Sequence, residues 1–214
     1  MKGCPLRCAW CHNPEGQSFE IETMTTPPSS DGRGSTSRVC GVDWTASALA
    51  GELLKNADMM RQSGGGVTFS GGEPLSQAEF LLEVLPLLKG VSVAIETSGQ
   101  VAGDVYRAVV SRCDFVYQDL KHHDAAAYRR WCAGELETVL ANVEWLKTSG
   151  VTHVFRVPVI PGVNDAAEDR EAFLRIAGGS KVEFLPYNPA AGAKYPMLGR
   201  DYPYSQTNTN NPNH

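Results

Sequence analysis

Gly66-Val67-Thr68-Phe69-Ser70-Gly71-Gly72-Glu73-Pro74-Leu75-Ser76-Gln77-Ala78-Glu79-Phe80-Leu81 reads as one unit of strand, turn and helix start. Gly64, Gly65 and Gly66 end the helical pattern before it, and Val67, Thr68 and Phe69 are the β-branched and aromatic types that favour a short buried strand. Glycines and Pro74 then turn the chain. Ser76 to Glu79 has the spacing of a capping box, and Phe80, Leu81, Val84, Leu85 and Leu88 follow as an apolar helical stripe.

The same alternation runs on in both directions. Upstream, Thr45 is placed to cap a helix reaching about residue 61, with Leu49, Leu53, Leu54 and Ala57 facing inward. Downstream, residues 91–95, 115–120, 151–160 and 182–186 read as strands, and 101–112 and 136–148 as helices. A further helix is expected from Asp165 to about residue 177, with Glu168 completing a second capping box. Strands separated by helices predict parallel βα units, in an open doubly wound sheet or in a barrel-like arc. Polar or glycine-bearing groups close each strand: Ser70-Gly71-Gly72-Glu73, Glu96-Thr97-Ser98-Gly99, Asp119-Leu120-Lys121, Arg156 with Pro161-Gly162, and Tyr187-Asn188. A barrel uses the carboxyl ends of all its strands, whereas an open sheet concentrates function at one switch point. The pattern therefore predicts an α/β arc of parallel βα units.

The chain's 214 residues suit one domain, set at residues 1–204, and 42% hydrophobic with 20% charged residues is ordinary for a folded protein. Residues 16–42, rich in Ser, Thr, Pro and Gly, are expected to be a polar loop or insertion, and residues 205–214 a disordered polar tail. Twenty-four acidic against 19 basic side chains give a formal charge of −5, which offers no footprint for nucleic acid. No apolar run approaches the ~18 residues of a spanning helix, and the first residues lack the apolar core of a signal peptide. The expectation is a cytoplasmic protein in a reducing compartment, without nucleic-acid or membrane partners.

Three of the six cysteines fall in Cys4-Pro5-Leu6-Arg7-Cys8-Ala9-Trp10-Cys11, a Cys-x3-Cys-x2-Cys spacing. Three thiolates on one loop suit an iron–sulfur cluster that normally takes four, leaving one iron open to another ligand. Spacing alone also allows zinc with His12 as fourth ligand, although zinc sites usually combine a close pair with a distant one. Structural or disulfide roles fit a cytosolic chain of this size poorly.

The linked motifs go further. Gly3-Cys4-Pro5-Leu6-Arg7-Cys8-Ala9-Trp10-Cys11-His12-Asn13-Pro14-Glu15, Ser70-Gly71-Gly72-Glu73-Pro74, Glu96-Thr97-Ser98-Gly99, Asp119-Leu120-Lys121, Arg156 through Asp165, and Leu185-Pro186-Tyr187-Asn188 with Lys194-Tyr195 and Leu198-Gly199-Arg200 occur in this order. Over residues 2–204 the chain resembles the radical S-adenosylmethionine (SAM) superfamily, and within it the activating enzymes of glycyl radical enzymes, a group that includes pyruvate formate-lyase activating enzyme. The resemblance implies a partial (βα)6-type TIM barrel and one [4Fe–4S] cluster on Cys4, Cys8 and Cys11. It implies an oxidoreductase that cleaves SAM with one electron from a flavodoxin or ferredoxin type donor, under anaerobic conditions. The resulting 5′-deoxyadenosyl radical would install a glycyl radical on a partner enzyme.

The resemblance also distributes roles. Ser70, Gly71, Gly72 and Glu73 would sit beside the methionine moiety, with Glu73 accepting from its ammonium. Glu96, Thr97, Asp119 and Lys121 would lie near the methionine carboxylate and ribose, Lys121 as the catalytic-site cation. In some members an acidic residue, a threonine and a carbonyl hold a monovalent cation, here Glu96, Thr97 and Tyr117. Arg156 is either a SAM contact or a buried structural ion pair, and Asp119 with Lys121 can also be read as a solvated pair. Val159, with Ile160 and Pro161, would line the adenine pocket. Trp10 would shield the cluster or pack in the core, His12 shares the cofactor-binding loop, and Asn188 is carried over as a ribose contact.

Departures from the pattern carry their own expectations. Many relatives insert a cysteine-rich module for further clusters, where this chain has only Cys40, so a single cluster is expected. Against the family the chain is read as lacking the first strand and the C-terminal helix, which would leave an open sheet edge that invites association. Trp131-Cys132-Ala133-Gly134-Glu135 replaces a common Thr-Gly pair, and Asn188 stands where some relatives have histidine. Cys113 and Cys132 are expected on helices as buried packing residues. The competing functions are a radical SAM enzyme for a small molecule or peptide, and an inactive truncated metal-binding module.

Overall fold

The computed structural model describes residues 1–28 and 34–204, so the tail expected to be disordered, 205–214, lies outside the described residues. Residues 16–42 correct the loop expectation. Strand β1 (Glu22–Thr26) pairs antiparallel with β2 (Thr36–Cys40), from Glu22 opposite Cys40 to Thr26 opposite Thr36. Apolar alternation was the wrong signal for this ribbon. Its ladder is a backbone interaction, and one side chain, Met24, is buried to anchor it while most neighbouring positions stay exposed.

The helix expected over residues 45–61 is two helices, α1 (Ala46–Leu54) and α2 (Ala57–Ser63). They part where Lys55 N–H bonds back only three residues, to Glu52 O, and Asn56 leaves helical geometry (φ −107°, ψ 18°). Five strands follow in sequence: β3 (Gly66–Phe69), β4 (Ser92–Thr97), β5 (Phe115–Asp119), β6 (Thr152–Val159) and β7 (Val182–Pro186). They lie side by side in chain order, every pair parallel. The crossovers carry α3 (Ala78–Val84), α4 (Gly103–Val110), α5 (Ala125–Cys132), α6 (Leu136–Thr148) and α7 (Ala167–Ala177). This order without a reversal point is the arc, a partial (βα) barrel.

Two helix starts differ from expectation. The Ser76 box does not form, because Pro74–Gln77 is a 3-10 turn that begins earlier, with the Glu73 carboxylate accepting from Leu75 N–H at 3.1 Å. Asp165 holds the preceding turn, accepting from Gly162 N–H at 2.9 Å, while Ala166 is the residue that caps α7 and its N–H donates to Asp169 at 3.0 Å.

The strands' two faces have opposite chemistry, as period-two alternation requires. Val67, Phe69, Val93, Ile95, Val116, Phe155 and Val157 are buried in the main core, together with Leu81, Tyr106, Val109, Val143, Leu146 and Phe173 of the helices. The other face is half-open, and register sets its rows. Glu96 lies opposite Tyr117, and Asp119 opposite Arg156, which lies opposite Glu183. At the outer edge Met1 N–H bonds Ser70 O at 2.5 Å and Gly72 N–H bonds Met1 O at 2.8 Å, the pair of bonds one residue of a parallel strand makes. The rest of the β3 edge faces a groove lined by Phe19, Ile21, Val39, Val42 and Trp44.

Candidate active site

The cysteine loop is pinned across the carboxyl ends of the strands from three sides. Gly3 N–H donates to Gly16 O and Ser18 O, Glu73 N–H donates to Gly3 O at 2.7 Å, and Arg7 and Ala9 N–H donate to the Cys132 and Trp131 carbonyls at 2.8 and 2.9 Å. From the C-terminal side, Lys194 reaches Asn13 (2.8 Å) and Glu15 (2.5 Å), and Arg200 reaches Pro14 O and Glu22. Leu6 and Trp10 are buried in the core, Trp10 between two of the cysteines. His12 is exposed at the end of the loop.

Opposite the loop, the open face of the sheet carries a connected set of charges. Ser70 Oγ donates to Glu96 at 2.5 Å, and Arg156 donates to Glu96 at 2.6 Å and to Glu183 at 3.4 Å. The Arg156 guanidinium also lies 3.5 Å from the Tyr117 ring centre. Arg156 is thus an ion-paired residue, as one of its two readings had it, but it lies on the half-open face. Lys121 pairs with Asp119 at 2.7 Å and is largely screened from solvent. Burial works against its charge, yet Asp119 and the Cys8 sulfur hold its pKa well above the ordinary range. That positive charge acts on Cys4, Cys8 and Cys11 alike. Val159 closes β6, half-buried, beside the buried Ile160.

Several expected contacts are placed differently. Glu73 is buried and accepts four bonds: Leu75 N–H and Thr97 Oγ on one oxygen (3.1 and 2.7 Å), Ser98 N–H and Oγ on the other (2.7 and 2.5 Å). Burial pushes its carboxyl pKa up against those bonds. Its acceptor sites are engaged within the chain, where it braces the β3 and β4 ends. Thr97 turns to the helix side to make that brace, away from Glu96, because successive strand residues face opposite ways. The Gly71-Gly72 pair permits a close approach, but of the chain to itself: a Cβ on Gly72 would lie 2.3 Å from Gly16 O and 2.4 Å from Gly3 O. Asn188 is exposed after β7, and its side-chain oxygen accepts from Ala190 N–H at 3.0 Å in its own turn.

Two supporting residues went unrecognised in the sequence. Buried Asn164 accepts from Ile160 N–H (2.7 Å) and donates to Lys121 O and Pro158 O (both 3.0 Å), stapling the β5 and β6 ends together. Buried His122 accepts at Nδ1 from His123 and Asp124 N–H, and its Nε2–H faces Val163 O at 3.2 Å. Their only signal was an Asn four residues past an apolar strand and a His beside Lys121. Cys113 is buried in the turn just past α4 and not on the helix, its pKa pushed up to about 12 by burial.

Three thiols on one loop are a donor set of the kind that holds an iron–sulfur cube with one iron left open. Among the described residues, no group of three or more His, Cys, Asp or Glu side chains is gathered to hold a single metal ion. Burial holds the Cys4 thiol up at about 11 and raises that of Cys11, so loading expels protons. The buried Tyr128 and Tyr195 hydroxyls lack a partner among the described residues, and both lie near these sulfurs. Cys4, Cys8 and Cys11 would hold the cluster, facing Lys121.

These features define a partial-barrel α/β protein with a thiol loop across the mouth of a parallel sheet. The description "Radical SAM superfamily" matches residues 1–176. Pyruvate formate-lyase 2-activating enzyme of Escherichia coli (strain K12) is 35% identical over 223 residues, covering 94% of this chain and 75% of the relative. Benzylsuccinate synthase activating enzyme of Thauera aromatica is 32% identical over 257 residues (96% and 78%). The chain belongs to the radical SAM superfamily and, within it, to the glycyl-radical-enzyme activating enzymes. Streptococcus suis SuiB bound to S-adenosylmethionine shares the fold alone, with a TM-score of 0.60 at 12% identity over 93% of this chain and 41% of that one. Among the described residues no helix is long and apolar enough to cross a membrane.

Proposed function

We propose that this chain is an activase that uses S-adenosylmethionine and one electron to install a glycyl radical on a partner enzyme. The observation that carries the reading is the docking of the Cys4, Cys8 and Cys11 loop over the Lys121–Asp119 and Glu96–Arg156 charges. When bound, the [4Fe–4S] cluster and SAM supply the electron transfer and sulfonium cleavage that yield a 5′-deoxyadenosyl radical. The protein's part is to bind, orient and exclude water. Lys121 offers a compact cation for the methionine carboxylate. Glu96, fixed by Ser70 and Arg156, offers a carboxylate for the ammonium or a ribose hydroxyl, and Val159 and Ile160 pack the adenine side. Glu73, Asn164 and His122 act behind them by fixing the strand-end loops. A cytoplasmic flavodoxin or ferredoxin type protein would supply the electron. The relatives activate different enzymes, and this chain's partner is assigned to the same class.

Anaerobic reconstitution should give about four irons and matching sulfide per chain. Added SAM should alter the reduced cluster's electron paramagnetic resonance spectrum, and turnover should release 5′-deoxyadenosine. With a glycyl radical enzyme encoded beside it, the product should carry a glycine-centred radical. Iron-loaded protein that never yields 5′-deoxyadenosine would defeat the enzymatic reading. Its release with no radical on any such partner would favour a small-molecule or peptide substrate.

A further inference from the structure

The cysteine loop meets solvent at one stretch: between Cys4 and Cys11, only Pro5 and Arg7 are exposed. Arg7 Nη1 donates to Cys4 O at 2.6 Å and to Leu6 O at 2.8 Å, which ties one edge of the guanidinium to the loop and leaves the other free. A recess opens beside it, lined by Arg7, Gln17, Ser18, Phe19, Glu20 and Arg200. Its wall is the loop's own support, since Gln17 O accepts from Cys4 N–H at 3.2 Å and Ser18 O from Gly3 N–H at 3.0 Å. The Phe19 ring lies against Gly3, where an added Cβ would be 2.3 Å from the ring, yet Phe19 remains 60% exposed. The recess thus joins an exposed aromatic, two arginines and a single carboxylate, on a chain whose formal charge is −5. Among the described residues neither Arg7 nor Glu20 has an ion-pair partner. Aromatic and arginine side chains are the types that carry most binding energy at protein interfaces.

We propose that this recess docks the protein that delivers the electron, an acidic redox carrier whose carboxylates meet Arg7 and Arg200 around Phe19. The inference rests on the activase reading above and adds to it the surface on which the donor binds. In that reading SAM occupies the Lys121 side of the loop, and Arg7, between two of the cluster's ligands, marks the side left to a carrier. One electron leaves the reduced carrier and enters the cluster, with no bond made or broken. Electron-transfer encounters bury little surface. A small basic contact that steers its partner by charge suits that task better than a large apolar one.

The test compares four anaerobically reconstituted proteins: the parent chain, Arg7→Gln, which keeps a donor for the two carbonyls, Phe19→Ser and Glu20→Lys. Iron is counted, and cluster reduction is then followed by stopped-flow absorbance with either a reduced acidic flavodoxin or dithionite. Dithionite, too small to need a docking surface, should reduce all four at equal rates. With flavodoxin the second-order rate should fall about tenfold in Arg7→Gln and Phe19→Ser and rise severalfold in Glu20→Lys. The parent's rate should also drop more steeply with added salt than that of Arg7→Gln. Isothermal titration of oxidised flavodoxin into the oxidised proteins should rank their affinities in the same order. Equal flavodoxin rates across the four, or a Glu20→Lys protein slower than the parent, would overturn the proposal. So would a loss with dithionite as large as with flavodoxin, or a parent cluster that dithionite reduces and flavodoxin never does. If Arg7→Gln fails to fold or load iron, the gain in Glu20→Lys decides, because damage to the loop cannot speed the reaction. A parent chain that assembles no sulfide-containing cluster would instead overturn the activase reading on which the proposal stands.

Discussion

Replacing Gly72 by alanine puts the docking of the cysteine loop to a quantitative test. The new Cβ would sit 2.3 Å from Gly16 O and 2.4 Å from Gly3 O, both backbone atoms that cannot swing aside as a flexible side-chain tip can. Relief requires residues 1–3 or 16 to move. That movement strains Gly72 N–H to Met1 O (2.8 Å), Glu73 N–H to Gly3 O (2.7 Å) and Gly3 N–H to Gly16 O (2.9 Å). Overpacking costs about 1–3 kcal/mol, and two or three weakened bonds cost about 1 kcal/mol each. The expected loss is roughly 3–6 kcal/mol. Urea unfolding of the apoprotein followed by circular dichroism reads it, and iron bound on reconstitution should fall because Gly3 adjoins Cys4. Gly51→Ala is the control. It lies within α1 with nothing inside 4 Å of its Cβ, so the same chemical change should stabilise by about 0.5–1 kcal/mol. A Gly72→Ala protein within about 0.5 kcal/mol of the parent, with full iron, would refute the close approach of the loop.

Asn164→Ala removes three hydrogen bonds and orphans the buried Ile160 N–H, so a loss of roughly 3 kcal/mol is expected in the same unfolding assay. Burial holds the His122 pKa below its ordinary value of 6.5. The unfolded ring therefore binds a proton more readily than the folded one. His122's contribution is complete above about pH 6.5 and is lost as pH falls toward the lowered folded value, by up to about 1.4 kcal/mol per pH unit. Urea midpoints from pH 7.5 down to about 5 should drop less steeply in His122→Gln than in the parent. Arg156→Lys keeps the charge but loses the planar fork that spans Glu96 and Glu183 over Tyr117. SAM affinity, measured by equilibrium binding to the reconstituted protein, should fall about tenfold, or ~1.4 kcal/mol.

The order of strands and helices was legible because hydrophobic periodicity is a local property, written into each segment by the face it must bury. Polar closures such as Asp119-Leu120-Lys121 likewise revealed which end of the sheet is chemically active, and the cysteine spacing is contained in one loop. Contacts across the chain were not legible. Glu73 was expected to face a ligand, yet Thr97 and Ser98, brought beside it by the β3–β4 register, supply three of its four donors. Met24 anchors a ribbon whose other residues carry no apolar pattern. The end of α5 meets the cysteine loop only through tertiary docking, the Cys132 and Trp131 carbonyls accepting from Arg7 and Ala9 N–H. Periodicity tells which side of an element is buried, whereas the partner a buried polar group finds depends on register and packing among segments far apart in the chain.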